Sequence, residues 1–376
     1  MLSIRNIIAA AIISLACAAS AFAGPYSNLI VFGDSLSDVG NLKQSTVLFP
    51  VSAYYQGRFS NGPVYSELLA AELGLGTLTH SGANGTNYAV GGAQAIGGGI
   101  KSVNLQVDEF LTSESVDSGA LYILFAGAND LLEGQTNVSV PVNSLLANAA
   151  ELIAEGARNV LVANLPLLGL TPRFNGNSQE AAAMTQLTQQ FNTALSVGLD
   201  LLELNEPNAN FFRLDVAGLI SNVVADPSAF GLANVTDPAA PGLGPLSPFF
   251  YSANNIVDEP DTYLFWDDLH PTRVAHAMLA QYALDVVTYS ADFNFDGRVD
   301  ALDLSEWEAA YSLTDAADAD GDGDSDGDDF LTWQRQYTGS VPTQLTAVPE
   351  PSAIALSMLS LLWGHIASRP ARSPVR

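Results

Sequence analysis

Apolar and polar positions fall in alternating blocks along the first three-quarters of the chain. Short runs rich in β-branched and aromatic residues stand at 29–32, 87–90, 121–126, 159–163 and 210–214, bounded by small and polar residues, and read as strands. Between and after them, helical spacing appears at 63–73, 144–155, 178–204 and 272–288. In the third of these stretches Met184, Leu187, Phe191, Leu195 and Leu202 lie on one face, which marks a core-facing stripe. Thr272 follows Pro271, and its hydroxyl can accept from a first-turn N–H and cap the last helix. Strands alternating with helices predict a parallel sheet with helices on both faces, an α/β fold. Residues 225–260, rich in Pro, Gly, Asn and Asp and without periodicity, read as a long loop. That loop immediately precedes the histidine segment discussed below, so it is expected to wall the substrate site.

The first strand runs into Gly33-Asp34-Ser35-Leu36-Ser37-Asp38-Val39-Gly40-Asn41, a small-residue turn with a serine in it. Such a turn holds a hydroxyl at the carboxyl edge of the sheet, where open α/β proteins bind ligands. It also leaves backbone N–H groups available to an oxyanion. Ser35 is therefore a candidate nucleophile, and a nucleophilic serine needs a base and a group to orient that base. Of four histidines, His80 lies in a Gly/Ser/Thr loop, His276 inside a helix as a surface or packing residue, and His365 in the apolar tail. His270 remains, in Trp266-Asp267-Asp268-Leu269-His270-Pro271-Thr272, just ahead of a capped helix. Asp267 and Asp268 both stand close enough to orient it.

Four segments together resemble the GDSL, or SGNH, family of serine esterases and lipases: the Ser35 turn, Asn87-Tyr88-Ala89-Val90-Gly91-Gly92-Ala93, Gly127-Ala128-Asn129-Asp130, and Asp267–His270. Gly57-Arg58-Phe59-Ser60-Asn61-Gly62-Pro63 and 164–172 also match stretches common in that family, so the resemblance spans about 28–288. It implies a three-layer α/β/α, flavodoxin-like domain and a Ser35–His270–Asp267 triad. It favours Asp267 over Asp268 as the orienting carboxylate. It also implies an oxyanion hole from the Ser35 N–H, the Gly92 N–H (with Gly91 the near alternative) and the Asn129 side chain. The chemistry it implies is acyl transfer from an ester with no cofactor in catalysis. A small ester, a lipid or an acetylated glycan would each serve as substrate, and thioesters and peptides are not excluded by the same residues.

Charge narrows the partners. The net formal charge of −27 argues against nucleic acid, whose phosphates would repel the chain. The acid is concentrated: 14 Asp and Glu stand against a single Arg between 292 and 329. There two copies of one pattern follow each other, with Trp307 and Trp333, and Tyr311 and Tyr337, at the same 26-residue offset. The first copy places Asp292, Asn294, Asp296, Arg298, Asp300 and Asp303 at positions 1, 3, 5, 7, 9 and 12. The second places Asp318, Asp320, Asp322, Asp324, Asp326 and Asp329 there. Oxygen donors at this spacing, with Gly297 and Gly323 at position 6, form a calcium loop. An Asp at position 12 and one short helix after each loop resemble a dockerin pair, which implies a possible protein partner for the repeats.

The ends carry addressing signals. Arg5, an apolar run and Ala21-Phe22-Ala23 read as a secretory signal over 1–23. A lipoprotein reading would use Cys17, but Ser14 stands where a leucine is usual. Cys17 is the one cysteine, so the mature chain is neither a thiol enzyme nor a Cys-ligated zinc protein. Val348-Pro349-Glu350-Pro351, an apolar stretch and a basic end over 348–376 resemble the PEP-CTERM sorting signal, which implies a sorting protease and a cell-surface or matrix destination; a plain tail anchor is the other reading. The expected organisation is a hydrolase domain over 24–290, calcium repeats over 291–338 and a linker over 339–347. A competing functional reading is a calcium-dependent matrix protein with an inert esterase-like domain.

Overall fold

The computed structural model describes residues 26–45, 53–97, 101–244, 253–288, 290–294, 299–314, 316–319 and 324–337. In chain order these form β1 (Leu29–Gly33), α1 (Asn41–Ser45), α2 (Tyr65–Glu72) and α3 (Val103–Ser113). Next come β2 (Leu121–Phe125), α4 (Ala128–Leu132), α5 (Ser139–Ala154), β3 (Asn159–Ala163), α6 (Pro172–Asn175) and α7 (Ser178–Asn205). Then follow β4 (Asn210–Leu214), α8 (Val216–Ala225), β5 (Asn234–Pro238), β6 (Tyr263–Phe265) and α9 (Arg273–Thr288), and last α10 (Ala301–Ala310) and α11 (Gly327–Gln336).

The main sheet is parallel throughout, in the order β1-β2-β3-β4, with Leu29 beside Leu121, Leu121 beside Asn159 and Asn159 beside Asn210. Every residue of β1 and β2 is buried, which is why these strands read as continuous apolar runs rather than alternating ones. Phe32, Tyr122, Phe125 and Leu124 anchor the core, and burying each large apolar side chain contributes roughly 1.5–3 kcal/mol. Helices complete the three-layer α/β/α arrangement: α2 packs with α9, and α5 with α3 and α7. The ends of β1, β2, β3 and β4 share one edge of the sheet, and the loops that leave there carry the site.

Two expectations need correction. Residues 87–90 are not a strand of the sheet. Thr86, Tyr88 and Val90 do exchange hydrogen bonds with Val31 and Gly33 along β1. Only isolated bridges form, because the run ends at once in the turn closed by Ala93 N–H to Val90 O, before a ladder can extend. Nor is 225–260 a structureless loop: it holds an Asp226-capped turn over Pro227–Phe230 and then β5, which pairs in parallel with β6. The polar strand Asn-Val-Thr-Asp-Pro has no apolar run to announce it, and its partner lies 25 or more residues further on. Helix bounds also move: α5 begins at Ser139 rather than 144, and α2 at Tyr65 rather than 63.

At the carboxyl side, α10 and α11 pack as a reciprocal pair. The Trp307 indole donates to Asp326 O and the Trp333 indole to Asp300 O, both at 2.8 Å, with Phe330 stacked between the rings. Among the described residues no helix is long and apolar enough to cross a membrane. The expected signal at 1–23 and the expected tail at 348–376 lie outside the described residues.

Candidate active site

Ser35 sits one residue past Asp34 in the turn after β1 and is buried. Gly33, the last residue of β1, is gripped by Gln106 of α3, whose amide both accepts from Gly33 N–H and donates to Gly33 O at 2.9 Å. A Cβ at Gly33 would lie 2.5 Å from Phe125 O, so only glycine lets β1 and β2 close up beneath the turn. Asp34 orders the turn, its Oδ1 accepting from Leu36 N–H at 3.0 Å.

Ser35 Oγ lies 2.9 Å from His270 Nε2, and His270 Nδ1 lies 2.7 Å from Asp267 Oδ2. The 266–270 loop is pinned by Trp266 N–H to His270 O and by Asp267 Oδ1, which accepts from the N–H groups of Leu269 and His270. Thr272 caps α9, its hydroxyl donating to Tyr263 O and accepting from Ala275 N–H. Burial pushes the Asp267 carboxyl up, but the His270 charge and hydrogen bonds and the Tyr54 hydroxyl outweigh it and hold the group below the usual carboxylate range. Asp268 takes no part: it is half-exposed and pairs with Arg173 of α6. His276 is a buried packing residue, accepting from Tyr65 N–H and stacked on the Tyr65 ring; burial holds its imidazole down to about 3.

The oxyanion donors sort themselves by hydrogen bonding. Gly91 N–H is spent on Asp38 Oδ2 at 2.8 Å, which removes it as the alternative. The same Asp38 carboxylate accepts from Gly40, Asn41 and Leu42, so it ties the segment after Ser35 to the Gly91-Gly92 bend. Gly92 adopts φ +82, a backbone state that favours glycine. None of the hydrogen bonds among the described residues uses the N–H of Ser35 or Gly92. Asn129, in the first turn of α4, donates through Nδ2 to Ala93 O at 2.9 Å and more loosely to Asp34 Oδ2 at 3.4 Å. The looser hydrogen is the one an oxyanion can take. Gly127 at φ +117 starts this helix against the Phe191 ring of α7, where a Cβ would come within 2.5 Å of the ring. The apolar stripe on α7 therefore shapes the Asn129 turn as well as the core.

Ser35, Asp34, Asn129 and His270 line one pocket of about 60 Å³, whose remaining walls are mainly apolar: Leu36, Leu132, Leu167, Val216, Ile220 and Leu264 among them. Gly92 is outside that lining, although its neighbour Ala93 accepts from Asn129. The 225–260 segment, expected to wall the site, contributes no lining residue among those described; β6, the turn after β3 and the start of α8 do so instead. A wider groove of about 570 Å³ between α5 and α7 lies apart from Ser35 and carries no titratable side chain. Sequence reasoning missed Asp38, Gln106 and Tyr54. Asp38 alone had a visible signal, since it stands three residues after Ser35 within the motif.

Burial lifts the Asp34 carboxyl from 3.8 to about 7, against the Leu36 N–H and the His270 charge. A carboxyl that holds its proton more tightly when folded imposes no penalty below pH 3.8. The penalty grows from there to about pH 7 and is complete above it. Asp34→Asn, which keeps the acceptor for Leu36, is expected to gain stability over the parent at pH 8 and to gain none at pH 3.5. The upper limit is about 4 kcal/mol, and urea denaturation at both pH values measures it. Equal differences at the two pH values would refute a protonated Asp34.

In the repeats, one carboxylate oxygen from each of Asp324, Asp326 and Asp329 falls within a 4.8 Å cluster. Asp303 and Asp329 also act as capping-box residues for α10 and α11, accepting from Asp300 and Asp326 N–H. Hard oxygen donors held this way suit a calcium ion. Asp292, Asn294, Asp300, Asp303 and Asp318 are described, whereas Asp296, Arg298, Asp320 and Asp322 lie outside the described residues.

A three-layer α/β/α sheet with a serine, imidazole and carboxylate in series at its carboxyl edge defines the serine-hydrolase class of site. The GDSL-like Lipase/Acylhydrolase model matches residues 29–283, and the chain belongs to that family. It is 33% identical over 316 residues to an uncharacterized protein from the trpE-trpG intergenic region of Pseudomonas putida, covering 73% of this chain and 51% of that protein. It is 31% identical over 335 residues to Esterase EstA of Pseudomonas aeruginosa, covering 76% and 51%. It is 26% identical over 319 residues to the phosphatidylcholine-sterol acyltransferase of Aeromonas hydrophila, covering 71% and 92%. The chain thus spans about half the length of the first two.

Proposed function

We propose that the chain hydrolyses carboxylic esters of short to medium aliphatic acids through an acyl-enzyme on Ser35. The observation that carries this is the hydrogen-bonded series Ser35 Oγ, His270 and Asp267 at the mouth of an apolar pocket. His270 Nε2 accepts the Ser35 proton as Oγ attacks the ester carbonyl carbon. The carbonyl oxygen becomes an oxyanion facing the N–H groups of Ser35 and Gly92 and the Asn129 amide. The C–O bond to the alcohol then breaks, and the alcohol leaves with the proton from His270. Water, deprotonated by the same imidazole, attacks the acyl carbon, the acid departs and Ser35 recovers its proton. Esterase EstA and the sterol acyltransferase are named for reactions of the same kind, and both resemblances support this reading.

At about 60 Å³ the apolar pocket is small, so an acyl chain of butyrate to hexanoate size fits it better than palmitate. The same reading has the chain exported after loss of 1–23, carried to the cell surface by the 348–376 tail, with Ca2+ held by the two acidic loops. The 26-residue repeat and the Asp324–Asp326–Asp329 cluster support the calcium assignment. One assay series tests both parts. Hydrolysis of p-nitrophenyl esters from acetate to palmitate is expected to peak at four to six carbons. Chelation is expected to leave turnover unchanged while lowering the thermal midpoint of the repeats. No turnover on any ester would return the inert matrix-protein reading, and an unchanged midpoint would remove calcium.

A further inference from the structure

The geometry points to Tyr54 as a positioning residue of the triad, one that aims the Asp267 carboxylate and moderates its pull on His270. The inference rests on the Ser35–His270–Asp267 reading above and concerns a residue outside it. Asp267 is fully buried, and a buried carboxylate needs its lone pairs filled. Oδ1 accepts two backbone N–H groups, from Leu269 and His270. Oδ2 accepts His270 Nδ1 at 2.7 Å and the Tyr54 hydroxyl at 2.6 Å. Three of these four donors belong to the 267–270 loop itself. Tyr54 alone comes from far away, 213 positions earlier in the chain.

The turn that delivers Tyr54 touches the triad at two points and the residue after His270 at a third. Tyr55 N–H donates to Ser60 O and Arg58 N–H to Tyr55 O, closing a tight loop in which Gln56 takes φ +48. Phe59, from the same loop, lies over the His270 ring at 4.9 Å and meets the Tyr54 ring edge-on at 5.8 Å. Ser60 Oγ donates to Pro271 O at 3.0 Å. Tyr54 is itself buried in a small cluster with Phe59, Trp266 and Ala240. Its ring is therefore immobilised by packing, and its hydroxyl meets Oδ2 as a fixed donor. A hydroxyl on that oxygen does two things. It fixes the plane of the carboxylate, so that Oδ2 stays aimed at Nδ1. It also withdraws negative charge, so that Asp267 holds the imidazolium less tightly and His270 can return its proton to the leaving alcohol.

Tyr54→Phe removes only the hydroxyl and keeps the packed ring. It is expected to lower kcat about ten- to a hundred-fold with little change in KM. The acidic limb of the kcat/KM profile is expected to move to higher pH by about one unit, because the undamped carboxylate favours the protonated imidazole. The other titratable groups that face the imidazole are Asp34, in the turn after β1, and His276 on α9. Both remain in the variant, so the difference between profiles reports the hydroxyl. Leu243→Ala serves as the structural comparison: it opens the same cluster behind Tyr54 and is expected to lower stability without moving the limb. Incorporating 3-fluorotyrosine at position 54 makes the phenol a stronger donor, and there the limb is expected to move to lower pH. A Tyr54→Phe profile that overlays the parent, or a fluorotyrosine shift that is absent or has the opposite sign, overturns the proposal. Should the parent itself fail to turn over esters, the triad reading falls instead, which separates the two failures.

Discussion

Replacing Ser35 with alanine is expected to lower kcat for ester hydrolysis about a million-fold while leaving the fold intact. The size follows from what the hydroxyl does. It is the atom that forms the acyl bond, and without it His270 has no proton to take. The small cost to stability follows from its contacts: among the described residues, Ser35 Oγ hydrogen-bonds only His270, and the turn is held by Asp34, Asp38 and Gln106 through other atoms. The oxyanion donors survive the change, so a residual acceleration of about a thousand-fold or more over water is expected. Steady-state kinetics on the butyrate ester, with a melting curve run beside it, measures both quantities. A variant that keeps a tenth of the parent rate would remove Ser35 as the nucleophile.

Asp267→Asn is expected to lower kcat about ten-thousand-fold, and the reason is a reversal of donors. The Asn amide oxygen can still accept from the Leu269 and His270 N–H groups that now point at Oδ1. That places its NH2 where Oδ2 stood, facing His270 Nδ1 and the Tyr54 hydroxyl. Two donors then confront one another at Nδ1, and the imidazole answers by moving its proton to Nε2. An Nε2 that carries a proton cannot accept one from Ser35. The variant therefore keeps its geometry and loses its base. Asp268→Asn is the companion measurement: Asp268 pairs with Arg173 at the surface, and its loss is expected to leave turnover within about twofold, the range of a surface ion pair. Equal losses in the two variants would mean that the orienting carboxylate had been misassigned.

Those two aspartates show how far the chain could be read without its fold. The strands at 29–33, 121–125, 159–163 and 210–214 were legible to within a residue: the first three are short apolar runs because they are almost wholly buried, and the last, partly exposed at the sheet edge, still carries the Phe-Phe pair and a buried Leu214. Ser35 was legible because a serine in a turn after such a strand stands at the sheet edge. His270 was legible because the other three histidines sit in a loop, a helix and a tail. The Asp267–His270 pair was legible because it is local: a carboxylate three residues before a histidine reaches it within one loop.

Tertiary structure decided everything that depends on distant segments meeting. Gly92 rather than Gly91 keeps an N–H unspent among the described residues, because Asp38, 53 positions earlier, takes the one on Gly91. The 87–90 run failed as a strand because the chain turns away at Gly91-Gly92, where Ala93 N–H closes onto Val90 O, after only isolated bridges to β1. β5 and β6 went unread since β5 is polar except for Val235 and β6, though apolar, is only three residues long. Asp34 is shifted by burial, which no composition reports, and the apolar pocket is assembled from turns after four different strands. Tyr54 is the sharpest case, one of two adjacent tyrosines with nothing to single it out until the fold sets its hydroxyl 2.6 Å from a carboxylate far along the chain. By itself the sequence determined the strands and pointed to the serine, histidine and aspartate that meet at the site, because periodicity and local spacing are properties of neighbours along the chain. The donors, the pocket and the group behind the triad were decided by packing, because contacts between distant positions leave no periodic trace for the sequence to carry.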